Sequence, residues 1–137
     1  MILSDQAFKY FSGTPLHILV ILSLAYVLFF QGLGAISLWD PDEPRQAIMA
    51  QEMIARSDYI HPYLNGQPYL EKPPLYSWLI VLAAKFTGGV DELASRFPSA
   101  FSATLLLLVS FLLGRLLKDQ GSGFLGAVIL ATNCQFL

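Results

Sequence analysis

A long stretch without formal charge, Leu16 to Ile36, constrains the fold of this chain more than any other feature. Apart from His17 it contains no acidic or basic residue. At about 1.5 Å per residue, a helix of this length crosses a hydrocarbon core of about 30 Å. The stretch therefore predicts a transmembrane helix over residues 16–36. A cleaved signal peptide is the alternative, but the stretch is long for one and Lys9 is the only base before it.

The composition is also typical of a membrane protein. Hydrophobic residues make up 55% of the 137 residues and charged residues 13%, whereas a soluble domain carries roughly a quarter charged residues. The net charge of -2 gives no basic footprint for nucleic acid. The single cysteine, Cys134, excludes an intrachain disulfide. We therefore expect an all-α integral membrane protein without a nucleic-acid partner.

Hydropathy and turn residues divide the chain into four segments. The first is the predicted span 16–36, and the second is a polar region, residues 37–93, which holds most of the prolines and charges. Residues 97–117 predict a second span. Residues 121–137 predict a third, which reaches the end of the chain without a closing charge or aromatic belt. We therefore expect this 137-residue chain to be the N-terminal part of a larger polytopic protein.

The polar region predicts two helices that do not cross the membrane. In residues 43–56 the apolar positions fall on one side of a helical wheel and the charged positions on the other, as in a helix lying flat on a membrane. The apolar set is Ala47, Met49, Ala50, Met53 and Ile54, and the charged set is Arg45, Glu52 and Arg56. Residues 75–87 are apolar but too short to span, which predicts an interfacial or re-entrant helix. Between the two helices, Asn65-Gly66 predicts a turn.

The basic residues do not support the orientation that these segments suggest. If residues 75–87 do not span, the polar region lies on one face and the two ends of the chain lie on the other. Lys9, Arg115 and Lys118 then lie on the face of the chain ends, and Arg45, Arg56, Lys72, Lys85 and Arg96 lie on the opposite one. The positive-inside rule therefore does not support a topology in which residues 37–93 lie on the extracytoplasmic side.

The acidic stretch WDPDEPR, residues 39–45, directly follows the first predicted span. As structure, Asp42 is a good helix N-cap, and Pro44 suits a first helical turn. As chemistry, Asp42 and Glu43 stand at the membrane edge, where a carboxylate can serve as a base or a metal ligand. The spacing alone leaves both interpretations open.

The stretch EKPP, residues 71–74, precedes the second predicted interfacial helix. As structure, it is a salt-linked turn in which Lys72 extends its ammonium to the lipid headgroups. As chemistry, the two prolines fix the backbone so that Lys72 presents a compact cation to a lipid phosphate.

The remaining polar and aromatic residues give weaker signals. His61 has no second histidine nearby, so the sequence identifies no ligand set for a divalent metal. Arg96 either anchors the helix that follows it or contacts a phosphate, and we favour the anchor. An interfacial belt is favoured over a sugar-stacking platform for Tyr59, Tyr63, Tyr69, Tyr76 and Trp78.

Three stretches, WDPDEPRQA, EMIARSDYI and NGQPYLEKPPLYSW, occur in this order and spacing. Together they resemble the N-terminal region of the membrane glycosyltransferases of the protein mannosyltransferase superfamily, especially the bacterial branch with the lipid A aminoarabinose transferases. The resemblance covers about residues 38–137. It implies a GT-C fold in the inner (plasma) membrane, with many transmembrane helices and a first extracytoplasmic loop whose helices lie along the membrane.

The resemblance also implies an activity and a site. Members of the family move a sugar from a polyprenyl-phosphate carrier to an acceptor, so the expected partners are that lipid-linked donor and membrane lipids. The acid of the family motif matches Asp42, with Glu43 beside it. The lysine that contacts the carrier phosphate matches Lys72, with Glu71 beside it. We include Arg45 as a supporting residue.

Two other classes of protein carry the same charges without this chemistry. A transporter or lipid-binding membrane protein would hold a lipid headgroup with them. A structural subunit would keep the fold without activity.

Overall fold

The computed structural model describes residues 14–39 and 41–133 of the chain. The helices are α1 (Thr14–Ala25, continued by a π-helical turn, Tyr26–Phe30), α2 (Asp42–Arg56), α3 (Leu75–Thr87), α4 (Glu92–Leu117) and α5 (Gln120–Ala131), and the strands are β1 (Tyr63–Leu64) and β2 (Gln67–Pro68). Two compact units are present: one is Gly32–Ala100, and the other combines the described residues up to Gln31 with those from Phe101. Lys9, Asp40 of the acidic stretch and Cys134 lie outside the described residues.

The first helix ends earlier than the sequence predicts. Its π-helical turn stops at Phe30 instead of continuing to Ile36. Gln31 leaves the helix with an extended backbone, and Gly32 then adopts φ +79°, a conformation that glycine accepts without steric cost.

Helix α2 has one buried and one exposed face. Ala47, Ala50 and Met53 are buried as the wheel predicts, whereas Ile54 is exposed. The helix ends where Ser57 adopts the left-handed conformation, φ 55°. Its N-cap is Pro41, which makes no side-chain cap hydrogen bond. The interpretation of Asp42 as the N-cap is therefore wrong, because Asp42 already lies in the first helical turn.

A short hairpin links α2 to α3. Asn65 and Gly66 form its turn with φ 51° and φ 79°, the pair of positive φ values that a type I′ turn requires. The Glu52 carboxylate of α2 accepts hydrogen bonds from the Gly66 backbone N–H at 3.0 and 3.3 Å. Arg56 lies over the Tyr63 ring, 4.2 Å from its centroid. These contacts hold the hairpin against α2.

Helix α3 is apolar on both its buried and its exposed faces. Its buried side contributes Ile80 and Val81 to a core with Ala50 and Met53 of α2. The helix ends at Thr87, and the C-cap residue Gly88 has φ +91°. The exposed side carries Leu75, Trp78, Leu79, Leu82 and Phe86.

Helix α4 begins at Glu92, five residues before the predicted span 97–117, so Arg96 lies inside the helix and not before it. The Asp91 carboxylate accepts a hydrogen bond from the Ala94 N–H at 2.7 Å and so stabilises the first turn. Among the described residues, α4 is the one helix long and apolar enough to cross a membrane.

The second unit packs α1, α5 and the C-terminal part of α4 around Ile21, Ala25, Leu107, Phe111, Ala127 and Ala131. Gly114 and Gly123 bring the backbones of α4 and α5 into contact, since a Cβ on Gly114 would lie 2.5 Å from the Gly123 Cα. Helix α5 ends at Ala131. The last residues of the predicted segment 121–137 lie outside the described part of the chain.

Candidate functional site

The structure brings the acidic stretch and the EKPP stretch together in the unit Gly32–Ala100. Asp42 projects from the first turn of α2, and its Oδ1 accepts a hydrogen bond from the Lys72 Nζ at 2.9 Å. The same oxygen lies 2.8 Å from the Arg45 Nη1. One carboxylate therefore contacts two cations, one of them 30 residues away in the sequence.

Lys72 is placed between two local structures that fix its backbone. On its N-terminal side, the Tyr69 N–H donates to the Pro62 carbonyl at 2.8 Å and closes the base of the hairpin. On its C-terminal side, the rings of Pro73 and Pro74 restrict the backbone φ angle, which is -75° at Pro74, and α3 begins directly after them. The position of Lys72 therefore follows from the hairpin and the two prolines.

The ion cluster is open to solvent. The exposed fraction of the side chain is 57% for Asp42, 41% for Lys72 and 34% for Arg45. The hydrogen bond from Lys72, and then its positive charge, hold the pKa of Asp42 below its ordinary value. Asp42 is therefore an accessible, ionised carboxylate at neutral pH.

Glu43 contacts a different cation from its neighbour. The two oxygens of Glu43 accept hydrogen bonds from Arg96, 3.0 Å from Nε to Oε1 and 2.8 Å from Nη2 to Oε2. The hydrogen bonds from Arg96 are the largest cause that lowers the pKa of Glu43. Asp42 and Glu43, which the sequence treats as a pair, therefore occupy separate ion pairs.

The two predicted supporting residues differ in their surroundings. Arg45 contacts Asp42 and also lies over the Tyr69 ring, 6.0 Å from its centroid. The Tyr69 hydroxyl is buried and has no hydrogen-bond partner among the described residues. Glu71 is exposed, and no hydrogen bond or ion pair joins it to a residue in 14–39 or 41–133.

No group of three or more His, Cys, Asp or Glu residues that could hold a metal ion occurs within the described ranges. His61 instead lies beside one carboxylate, with its Nδ1 3.1 Å from the Asp58 Oδ2. Elsewhere in this unit, an open groove of about 410 Å³ is lined by Tyr59, Ile60, Trp78, Val81, Leu82 and Lys85.

Sequence reasoning did not identify the partner of Arg96. The sequence shows an arginine near the start of an apolar helix, which predicts an anchor. The structure agrees with an anchor and adds that its carboxylate partner, Glu43, is 53 residues away.

Comparison with known proteins finds relatives by sequence and by structure. The chain is 38% identical over 107 residues to the undecaprenyl phosphate-alpha-4-amino-4-deoxy-L-arabinose arabinosyl transferase of Pseudomonas savastanoi pv. phaseolicola, covering 77% of this chain and 19% of that protein. The crystal structure of ArnT from Cupriavidus metallidurans in the apo state superposes with a TM-score of 0.74 and 27% identity, over 87% of this chain and 22% of that one.

The structure of the same ArnT bound to undecaprenyl phosphate gives a TM-score of 0.64 and 32% identity, over 72% of this chain and 18% of that one. No family model matches the chain. The chain spans about a fifth of the length of the curated relatives it matches.

Proposed function

Because the chain belongs to the family of the undecaprenyl phosphate-aminoarabinose arabinosyl transferases over the fifth of their length that it spans, we propose that the complete protein is a glycosyltransferase. It transfers a sugar from undecaprenyl phosphate to a lipid, glycan or protein acceptor at the extracytoplasmic face of the inner membrane. The observation that carries this proposal is the 2.9 Å contact between Lys72 and Asp42. This contact joins a phosphate-binding cation to a carboxylate base at one open site.

The helices suit a GT-C membrane domain with a polar first loop. In this arrangement α4 is a span, the shorter apolar helices α1 and α5 belong to further membrane segments, and residues 37–93 form the extracytoplasmic loop. Helices α2 and α3 lie along the membrane. The exposed apolar side of α3, with Trp78 and Phe86 among its residues, supports this placement because it would contact lipid.

Lys72 binds the phosphate of the donor in this proposal. Its ammonium is a compact cation on a fixed backbone, and 41% exposure leaves it accessible to a lipid headgroup. Arg45 supplies a second cation within reach of the same region.

The reaction follows from these groups. An acceptor oxygen attacks the anomeric carbon of the sugar, and the bond from that carbon to the phosphate oxygen breaks. The electron pair leaves with undecaprenyl phosphate, whose additional negative charge Lys72 stabilises. When the acceptor is a hydroxyl, its proton passes to Asp42.

The Lys72–Asp42 contact links donor binding to the strength of the base. In the free protein Lys72 lowers the pKa of Asp42 and makes it a weak base. A donor phosphate that attracts Lys72 removes this hydrogen bond and compensates its charge, so the pKa of Asp42 rises. Asp42 therefore becomes a stronger base when the donor is in place.

The test is a transfer assay with the complete protein in nanodiscs, using undecaprenyl phosphate-linked aminoarabinose as the donor and lipid A as the first acceptor. We expect sugar transfer and release of undecaprenyl phosphate. Lys72→Ala should weaken donor binding about tenfold or more, since a hydrogen bond to a charged group contributes about 1.5–3 kcal/mol. The matched control is Lys85→Ala, which removes a lysine of the same unit from the separate groove.

The outcomes separate the enzyme from a binding protein. Tight donor binding by the wild type without transfer to lipid A, other glycans or protein would favour the lipid-binding alternative. Equal donor affinity in Lys72→Ala and Lys85→Ala would remove Lys72 from the phosphate site.

A further inference from the structure

Arg96 uses its complete hydrogen-bonding capacity within the protein. A guanidinium has five N–H groups, and each of them has an acceptor here. Nε donates to Glu43 Oε1 (3.0 Å), Nη1 to the carbonyls of Leu33 (3.1 Å) and Ile36 (2.6 Å), and Nη2 to the carbonyl of Ser37 (3.2 Å) and to Glu43 Oε2 (2.8 Å). No N–H of Arg96 remains for a phosphate in this structure.

These acceptors lie in two segments that meet at the acidic stretch. Three are backbone carbonyls of the connection that leads into α2, and two are the carboxylate oxygens of Glu43 in its first turn. The Arg96 side chain is 19% exposed, so solvent weakens these hydrogen bonds less than those of the open cluster. Arg96 therefore joins α4 to the start of α2.

The N-cap residue of α2, Pro41, makes no side-chain hydrogen bond with the first turn, so the contact between Glu43 and Arg96 is one of the described contacts that hold this turn. Uncapped helix ends leave backbone N–H groups unpaired and tend to fray. Glu43 directly follows Asp42 in the first turn of α2. Because consecutive residues of a helix are offset by about 100° around its axis, the directions of the two side chains are linked. When Arg96 fixes Glu43, it therefore also fixes the direction in which Asp42 projects.

We propose that Arg96 and Glu43 are a positioning pair that holds the Asp42 carboxylate toward Lys72, and that Glu43 is not itself the base. This inference rests on the proposed transfer function. It separates the roles of two adjacent acids: Asp42 contacts the reactants, and Glu43 acts through the helix. Both Glu43 oxygens are already hydrogen-bonded to Arg96, whereas the Asp42 side chain is 57% exposed.

The test compares Arg96→Lys, Glu43→Asp and the double variant in the complete protein. Lysine at position 96 keeps the positive charge but lacks the planar guanidinium that contacts both oxygens of Glu43. Aspartate at position 43 is one methylene too short to reach Arg96. Because a displacement of about 1 Å can cost about 100-fold in rate, we expect kcat to fall about 10- to 100-fold in each single variant. We expect the donor KM to change less than about threefold, since Lys72 is held by other contacts.

The double variant should lose about as much kcat as the worse single variant, since both changes break one contact. Arg56→Lys is the matched control, because it replaces the arginine of another ion pair on α2, and it should leave kcat unchanged. Wild-type transfer is measured first. If it is absent, the proposed function fails; if it is present, the variants test the positioning pair alone.

Three results would overturn the inference. The first is a kcat within about twofold of wild type in Arg96→Lys. The second is a kcat in Glu43→Asp as low as that of Asp42→Asn, together with a double variant in which the two losses of kcat multiply. That result would make Glu43 a catalytic residue. The third is a loss explained entirely by the amount of folded protein, which would give the pair a role in folding only.

Discussion

Replacing Asp42 with Asn is the sharpest test of the proposed site, because it removes the charge and keeps the shape. The N-cap residue of α2 is Pro41, and Asn supports a helix start about as well as Asp does. If Asp42 accepts the proton of the acceptor, kcat should fall about 10²- to 10⁴-fold, the usual contribution of a general base. The melting temperature should change little, since Asp42 is an exposed side chain.

Asp42→Asn should not weaken donor binding, although it lowers kcat. In the free protein Asp42 competes with the donor phosphate for Lys72 at 2.9 Å. An ion pair as exposed as this one is screened by water, so its loss should tighten donor binding only about one- to fivefold. Asp42→Asn should therefore combine a large loss of kcat with an unchanged or lower donor KM, whereas Lys72→Ala should raise that KM.

The contact between Lys72 and Asp42 also predicts how activity depends on pH. In the free enzyme the hydrogen bond from Lys72 holds the pKa of Asp42 below its ordinary value, so activity is lost only as the pH falls through that lowered pKa. In the donor complex Lys72 contacts the phosphate and the pKa of Asp42 rises. The acidic limb of kcat should therefore lie at higher pH than the acidic limb of kcat/KM.

The assay is steady-state transfer with a separate measurement of donor binding, at matched amounts of folded protein. Asp58→Asn is the control, because Asp58 caps a turn outside the cluster and Asn supports such turns equally well. Near-normal kcat in Asp42→Asn would refute the role of this carboxylate. A loss of donor affinity as large as in Lys72→Ala would show that Asp42 orients Lys72 instead of competing for it.

Three further predictions test other parts of the molecule. Lys72→Arg should recover only part of the donor affinity lost in Lys72→Ala, since a planar guanidinium does not replace a compact ammonium on a fixed backbone. Full recovery would mean that Lys72 only extends a positive charge to the lipid headgroups. Cysteines placed at Asn65 and Gly89 should both react with an impermeant thiol reagent from the extracytoplasmic side, and protection of either one would contradict the single-loop topology. Gly123→Ala should destabilise the protein by about 1–3 kcal/mol, since its Cβ would collide with the α4 backbone. Gly126→Ala is the control, because a Cβ there meets open space. Equal melting temperatures of the two variants would contradict the packing of α4 against α5.

Local patterns in the sequence predicted most of the secondary structure of the polar region. The wheel over residues 43–56 and the apolar stretch 75–87 match α2 and α3, and Asn65-Gly66 matches the hairpin turn. These features depend on propensities of neighbouring residues, which a single sequence contains. The start of α4 was missed because hydropathy marks the apolar part of a helix, and its first turns here carry Glu92 and Arg96.

The roles of the charged residues could not be read in the same way, because they depend on contacts between distant parts of the chain. Adjacent acids in a sequence look equivalent, and only the fold assigns Asp42 to Lys72, 30 residues away, and Glu43 to Arg96, 53 residues away. The difference follows from helix geometry, since consecutive side chains project about 100° apart and meet different neighbours. In the proposed site, Asp42 therefore faces the reactants and Glu43 holds the first turn of α2 through Arg96.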